Sequence, residues 1–565
     1  MEMNGADALV RMLQLYGVKH IFGLCGDTSL PYYDALARLD HGIDHVLTRD
    51  ERSAAYMADG YARVTGRVGV CEGPSGGGAT YLLPGVIEAN ESSVPLLAIT
   101  SDISVGSRGR FPLTELDQRA LYKPLTSWNT VIDRVDQIPH AVRTAFRAIT
   151  TGRPGAAHIG LPYDIQKHAA DPADVWAQPG HEQVPALRSM ADPHDIERAV
   201  DLLARSRSPV IFCGGGVVIS GAHAELDRLL TLLNAPLVTT VSGQGCLADH
   251  HPLNAGVVGS NGGIDATRDV VAQADLVMFI GCRVGSTATE HWKVPSRQVK
   301  IIHLDVDGST VGANYRTDAP MVGDARLSLH ALCEILAERL SRQPRLDAVD
   351  GLALAERTRA AKWARFAPLA ASLDTPIKPE RVVDALNRLL PPNSILVADP
   401  GTPCPYFSAY FHNSTVPGRH FITNRAHGAL GYAMSAGVGA WLGRPDHTVV
   451  AVMGDGSFGF TCGELETIVR RQVPLKMLVF SNTVFGWIKA SQKVGYDQRY
   501  FSVDFGRTEH ARVAEAFGVK SWRVEDPAQL DAAIRAALAH PGPALVDVVS
   551  QQLQDAATPV SQWMG

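Results

Sequence analysis

Two oxygen-bearing side chains close two neighbouring apolar runs in the last third of the chain. Asp455, inside Gly454-Asp455-Gly456, follows the run from His447 to Met453, and Asn482 follows the run from Leu475 to Phe480. They stand 482 − 455 = 27 positions apart, a spacer that fits one helix crossing between two parallel strands. A carboxylate and an amide oxygen at adjacent strand ends suit a hard divalent cation, because Mg²⁺ takes oxygen ligands in octahedral array and keeps company with phosphates. The helix opening at Ser457 would aim free N–H groups and the positive end of its dipole at the same place, where an anion is stabilised. A bare Asp-Gly is only turn chemistry; the strand ends and the spacer are what add a ligand-binding reading.

The elements that must position this pair read as strand, helix through Arg471, strand, and the same alternation fills the rest of the chain. Short β-branched runs alternate with helical stretches up to about Ile165, again between Pro209 and Leu304, and from Ile395 onward. The expected fold class is therefore α/β with doubly wound parallel sheets, whose ligands collect beyond the carboxyl ends of strands. A polar, proline-bearing stretch over 170–193 and an Ala/Arg/Glu-rich helix over 341–375 read as connectors. They bound domains at 1–170, 190–340 and 375–550, with a tail at 551–565.

The 565 residues carry a formal charge of −6 and a pI near 6.4, with 45% hydrophobic and 19% charged residues, and no basic run of the kind that grips nucleic acid. No apolar run reaches membrane-spanning length and no basic-then-apolar leader opens the chain, so a cytoplasmic protein with no membrane partner is expected. The eight cysteines form no Cys-x-x-Cys pair and read as reduced thiols.

A second segment, Arg49-Asp-Glu-Arg-Ser-Ala-Ala-Tyr-Met-Ala-Asp-Gly-Tyr-Ala-Arg63, places Glu51 in the first turn of a helix, where an acid also serves as a cap. Its small residues Ser53, Ala54, Ala55 and Ala58 allow close approach to another surface. This segment resembles the pyrimidine-binding element of acetolactate synthases and 2-oxoacid decarboxylases. Gly454 to Asn482 likewise resembles the signature of thiamine-diphosphate (ThDP) enzymes, and the likeness runs through nearly the whole chain.

The resemblance implies three doubly wound domains, namely pyrimidine-binding, central Rossmann-like and diphosphate-binding. It implies that Glu51 hydrogen-bonds the aminopyrimidine ring as the acid/base partner of the cofactor. Asp455 and Asn482 would supply side-chain ligands to Mg²⁺, and Val484 a backbone oxygen. Gly401, Thr402, Gly454, Gly456 and Ser457 would meet the diphosphate, while Leu430 wedges between the cofactor rings and the Gly428 carbonyl accepts from the aminopyrimidine. The glycine-rich Gly69 to Thr80 resembles a loop packed near the reacting carbon, where individual glycines also fit a tight turn. Asp27 and Glu72 are candidate pocket acids, read equally as solvated or capping acids; if both faced the pocket they would repel and one would hold a proton. Leu113 and Thr114 stand where acetolactate synthases and oxalyl-CoA decarboxylases carry substrate-facing residues, so neither of those two reactions transfers directly.

The implied activity is cleavage or formation of a carbon–carbon bond next to a carbonyl, as a decarboxylase or carboligase on a 2-oxoacid in the manner of acetolactate synthases. Alternatives are a 2-hydroxyacyl-CoA lyase or oxalyl-CoA-decarboxylase-like enzyme and, from another class, a non-catalytic regulatory protein on the same fold. FAD or ADP in the central domain is the less favoured expectation, because Val284 to Thr287 replace the charged residues of the flavin-contacting loop. Glu51 and Asp455 would meet across a subunit boundary, giving a homodimer at least and a homotetramer by expectation. The tail reads as a lid over the site or as a frayed terminus.

Overall fold

The computed structural model describes residues 2–345 and 347–556. The first sheet is built from β1 (His20–Gly23), β2 (Asp44–Leu47), β3 (Gly69–Gly73), β4 (Leu96–Asp102), β5 (Trp128–Val131) and β6 (Ala156–Pro162), in the order β2-β1-β3-β4-β6-β5. The second holds β7 (Pro209–Cys213), β8 (Leu237–Thr239), β9 (Asn254–Val257), β10 (Leu276–Ile280), β11 (Lys300–Asp305) and β12 (Ala319–Val322), ordered β12-β11-β10-β7-β8-β9. The third holds β13 (Ile395–Ala398), β14 (Phe421–Thr423), β15 (Val449–Gly454), β16 (Lys476–Ser481), β17 (Lys520–Val524) and β18 (Ala544–Val549), ordered β14-β13-β15-β16-β18-β17. All the ladders are parallel. The first and third sheets thus share one strand order, and the second has the order of dinucleotide-binding domains.

Parallel strands covered on both faces are predominantly apolar; β10 is apolar and buried at every residue, and β4 is buried throughout, with Thr100, Ser101 and Asp102 at its carboxyl end. The helices that position the site are α1 (Glu51–Thr65), α2 (Leu83–Glu91), α3 (Gly351–Ala370), α4 (Pro403–Tyr410), α5 (Tyr432–Gly443), α6 (Asp455–Thr461) and α7 (Gly486–Gly495). Among the described residues no helix is long and apolar enough to cross a membrane, and all eight cysteines are free thiols.

The chain divides into two compact units. One combines the described residues to Leu187 with Asn424–Asp446 and Gly459–Leu475; the other takes Arg188–Thr423, His447–Phe458 and the described residues from Lys476. Within the first unit α1 lies directly against α5. A Cβ on Gly60 would stand 2.2 Å from the Ala436 carbonyl oxygen, and one on Gly439 only 1.8 Å from that of Met57. Of the small residues named from the sequence, Ala55 lies 2.4 Å from where a Cβ on Gly85 would stand, and the Ala58 carbonyl oxygen 2.1 Å from one on Gly69.

The single helix expected between the strands that lead to Asp455 and Asn482 is broken. α6 ends at Thr461, a short 3₁₀ turn covers Cys462–Glu464, and the helix resumes over Leu465–Arg470. Thr461, with φ at −136°, leaves the helical region at the break.

Candidate active site

β15 and β16 pair in parallel with Gly454 opposite Phe480, which brings Asp455 and Asn482 to adjacent strand ends. Both are buried. Asp455 Oδ2 accepts from the backbone N–H of Asn482 at 2.9 Å and of Thr483 at 2.6 Å, and Oδ1 accepts from Gly456 at 2.8 Å. Burial raises the Asp455 carboxyl above the usual carboxylate range, and these three N–H donors pull it back. Asn482 differs: its Oδ1 and Nδ2 are both buried and take no hydrogen bond. A buried amide left in that state needs an occupant.

Thr483 holds φ at +59°, a strained setting for a β-branched residue, and its hydroxyl donates to the Asn482 carbonyl at 2.8 Å. The neighbouring backbone bonds run from Phe505 N–H to Thr483 O and from Phe485 N–H to Val503 O, stepping over the Val484 carbonyl. One carboxylate, one orphaned amide oxygen and one backbone carbonyl are oxygen donors of the kind that Mg²⁺ takes. Among the described residues no three His, Cys, Asp or Glu side chains gather as a metal cluster.

In the same unit, Gly401 has φ +93°, and no atom lies within 4 Å of where a Cβ on Gly401 or Gly454 would stand. Open backbone of this kind admits a phosphate closely. Thr402 and Ser457 are buried, and a Cβ on Gly486 would lie 2.5 Å from Thr402 Oγ1, so Thr402 sits against the loop leaving Asn482. The chain following β18 folds back here: Gln552 donates to the Asn482 carbonyl at 2.7 Å, and the Leu553–Asp555 turn packs on α7 with Leu553 fully buried. The start of the tail is thus packed structure, whereas Ser561 and Trp563 lie outside the described residues.

In the first unit, Glu51 is the first residue of α1, but it is not the cap. Asp50 is, accepting from Arg52 N–H at 2.7 Å. Glu51 is left 8% exposed beneath the glycine-rich loop, where a Cβ on Gly78 would come within 3.1 Å of its Oε1. Burial raises its carboxyl above the usual range, and the nearby Asp50 and Glu72 charges add to the rise.

Glu72 and Asp27 do not meet as a pocket pair. The Glu72 carboxylate, on β3, accepts from the Tyr33 hydroxyl and lies 3.3 Å from His45 Nε2, while Asp27 is exposed at the start of a 3₁₀ turn. Burial raises Glu72, and His45 and Tyr33 oppose that rise. Beside Asp27 stands a hydroxyl group that joins Thr114, named from the sequence, to Thr28 and Ser101, which were not: Thr28 Oγ1 bonds Ser75 Oγ at 3.0 Å and Ser101 Oγ at 2.7 Å, and Ser75 Oγ bonds Thr114 Oγ1 at 2.7 Å. Leu113 next to it is 90% exposed.

Gly428, with φ +72°, is exposed and Leu430 is half-buried. Their loop is clamped by Glu88 of α2, which is fully buried and accepts from the backbone N–H groups of Arg425, Ala426 and His427 at 3.1, 3.1 and 2.7 Å. Arg63 bridges Glu88 at 3.0 Å and Asp59 at 2.7 Å, and the Tyr432 hydroxyl donates to Asp59 at 2.5 Å.

Three family models match the chain in order: "Thiamine pyrophosphate enzyme, N-terminal TPP binding domain" over residues 3–121, the central domain of the same family over 196–332, and its C-terminal TPP binding domain over 399–548. A protein of Methanococcus aeolicus named probable acetolactate synthase large subunit is 35% identical over 555 residues, 96% of this chain and 92% of that one. The chain belongs to the thiamine pyrophosphate enzyme family. The equally named protein of Methanocaldococcus jannaschii is 35% identical over 97% of this chain and 92% of its own, and acetolactate synthase isozyme 3 large subunit of Escherichia coli is 30% identical over 95% and 93%.

As a member of this family the chain is a thiamine-diphosphate-dependent enzyme with two TPP-binding domains flanking a central one. In the central sheet the switch point falls between β7 and β10, where Gly214 to Gly216 turn the chain. A Cβ on Gly214 would lie 2.2 Å from the Gly281 carbonyl oxygen, and one on Gly216 2.6 Å from Gly281 Cα. Packing against Gly281 requires glycine at both positions.

Proposed function

We propose that this enzyme joins or cleaves carbon–carbon bonds of 2-oxoacids in the manner of acetolactate synthases, with Mg²⁺ at the diphosphate end of its cofactor. What supports this reading above all is Glu51, a buried carboxyl freed from capping duty by Asp50. It lies in a chain 35% identical along its length to proteins named acetolactate synthase. Thiamine diphosphate supplies, when bound, a carbon nucleophile for the substrate carbonyl and an electron sink for the adjacent bond.

The chain's own residues do the rest. Glu51, raised by burial, is suited to hold a proton and share it with the aminopyrimidine nitrogen. The Asp455 carboxylate, the Asn482 amide oxygen and the Val484 carbonyl would hold Mg²⁺, with Gly401, Thr402, Gly454, Gly456 and Ser457 against the diphosphate. Gly428 and Leu430, on the loop clamped by Glu88, would orient the two rings. The hydroxyls of Thr28, Ser75, Ser101 and Thr114 offer neutral hydrogen bonds to a small polar substrate. Glu51 and Asp455 act from two copies of the chain, which makes the homodimer the smallest active form and leaves a homotetramer open to assembly. The three domains are assigned at 1–170, 190–340 and 375–550.

Glu51→Gln tests the central assignment. The variant is expected to bind thiamine diphosphate while exchange of the thiazolium C2 proton, followed by NMR, slows by ~10²-fold or more, the scale of a lost acid/base partner. Exchange at the wild-type rate sinks it.

A further inference from the structure

In the second unit, β9, the loop after β8, helix α3 and the end of α4 enclose a cavity of about 40 Å³, walled by Gln244, Asp249, Arg359, Lys362, Trp363 and His412 among others. Most polar groups on this wall are already engaged. Arg359 Nη1 donates to the carbonyls of Pro252 and, at 3.1 Å, Asn254. Asp249 Oδ2 accepts from Asn413 and Ser414 N–H at 3.0 and 2.9 Å, and Gln244 Nε2 donates to the Ser408 carbonyl at 3.1 Å. That last bond fixes which way the Gln244 amide points.

Two groups are left over. Among the described residues no hydrogen bond or ion pair reaches the Lys362 ammonium. It lies 5.1 Å from the ring centre of Trp363 and 5.6 Å from that of Tyr410, with Nζ 3.8 Å from where a Cβ on Gly256 would stand. Gln244 Oε1 is buried and accepts nothing. Gln244 Oε1 is an orphaned acceptor, and the ammonium, held by two aromatic rings and attracted by the Asp249 carboxylate without a hydrogen bond to it, keeps its donors for a ligand that completes both groups.

We propose that this cavity is a binding site for a small oxyanion that also carries a hydroxyl, a hydroxycarboxylate or hydrogen phosphate, with Lys362 on the charged oxygen and Gln244 Oε1 accepting the O–H. The space is that of about three water molecules, which limits the ligand to a few heavy atoms. Burial holds the Lys362 ammonium down to about 8, against the attraction of Asp249; His412 and Arg359 are the other titratable groups on the wall. An arriving anion therefore raises Lys362 and draws a proton onto it near pH 8. The site is independent of the reaction proposed above.

Calorimetric titration of the full-length enzyme with glycolate, acetate, inorganic phosphate and sulfate tests this, run at pH 8 in two buffers of different ionisation enthalpy. Glycolate is expected to bind saturably about 10-fold tighter than acetate, or phosphate about 10-fold tighter than sulfate, the scale of one unfilled buried acceptor. Whichever hydroxyl-bearing anion wins identifies the source, and binding should take up a proton. Lys362→Met should weaken that anion at least about 10-fold, while melting no lower than wild type in its absence. No saturable binding, binding without proton uptake, equal affinities within both pairs, or an unchanged affinity in Lys362→Met each overturns the proposal.

Discussion

Replacing Glu88 by Gln changes one atom of a fully buried side chain, so its effect isolates charge and hydrogen bonding from volume. In the native network Oε2 accepts from Ala426 and His427 N–H at 3.1 and 2.7 Å, and Oε1 accepts from Arg63 at 3.0 Å, Ser92 at 2.5 Å and Arg425 N–H at 3.1 Å. Whichever oxygen becomes the NH₂ of glutamine, at least two donors then face a donor. Each bond to a buried charge contributes roughly 1.5–3 kcal/mol, and breaking a buried ion pair from one side costs about 3–5 kcal/mol. We therefore expect Glu88→Gln to lose about 3–5 kcal/mol of stability, two to three and a half decades in the folding equilibrium. Urea unfolding followed by circular dichroism reads the loss, and amide exchange at 425–427 reads its origin. A variant within about 0.5 kcal/mol of wild type, the range of an ordinary surface change, would refute the clamp.

Three further outcomes follow from the same structure. Gly439→Ala places a methyl 1.8 Å from the Met57 carbonyl and forces α1 and α5 apart, so it should lower stability by about 1–3 kcal/mol or more; an unshifted melting temperature would contradict that packing. Glu464, buried and accepting from Arg49 N–H at 2.8 Å, is raised from 4.5 to about 7 by burial. Because its folded value exceeds the unfolded one, its contribution is full below pH 4.5 and lost as pH rises through 7. Glu464→Gln should therefore stabilise the protein at pH 8, by up to roughly 3 kcal/mol, and leave it unchanged near pH 4 in thermal melts. Co-expressed Glu51→Gln and Asp455→Ala chains should recover roughly a quarter of wild-type turnover if each site takes one residue from each copy, since half of randomly paired dimers hold one intact site. No recovery would place both residues in one chain.

The sequence alone determined the alternation of apolar runs and helices, hence three parallel sheets, because parallel strands covered on both faces are predominantly apolar. It also determined the meeting of Asp455 and Asn482, since a strand, helix, strand unit leaves consecutive strand ends side by side. Periodicity is local, however, and the partners of single side chains are not. That Asp50 rather than Glu51 caps α1, that Glu72 is engaged by Tyr33 and His45, and that Glu88 clamps backbone 337 positions away were decided only by the packing of distant segments. Thr483 and Lys362 show the same limit. Nothing in the residues beside them signals a strained φ of +59° or an ammonium set between two aromatic rings, because both arise from what the fold lays against them.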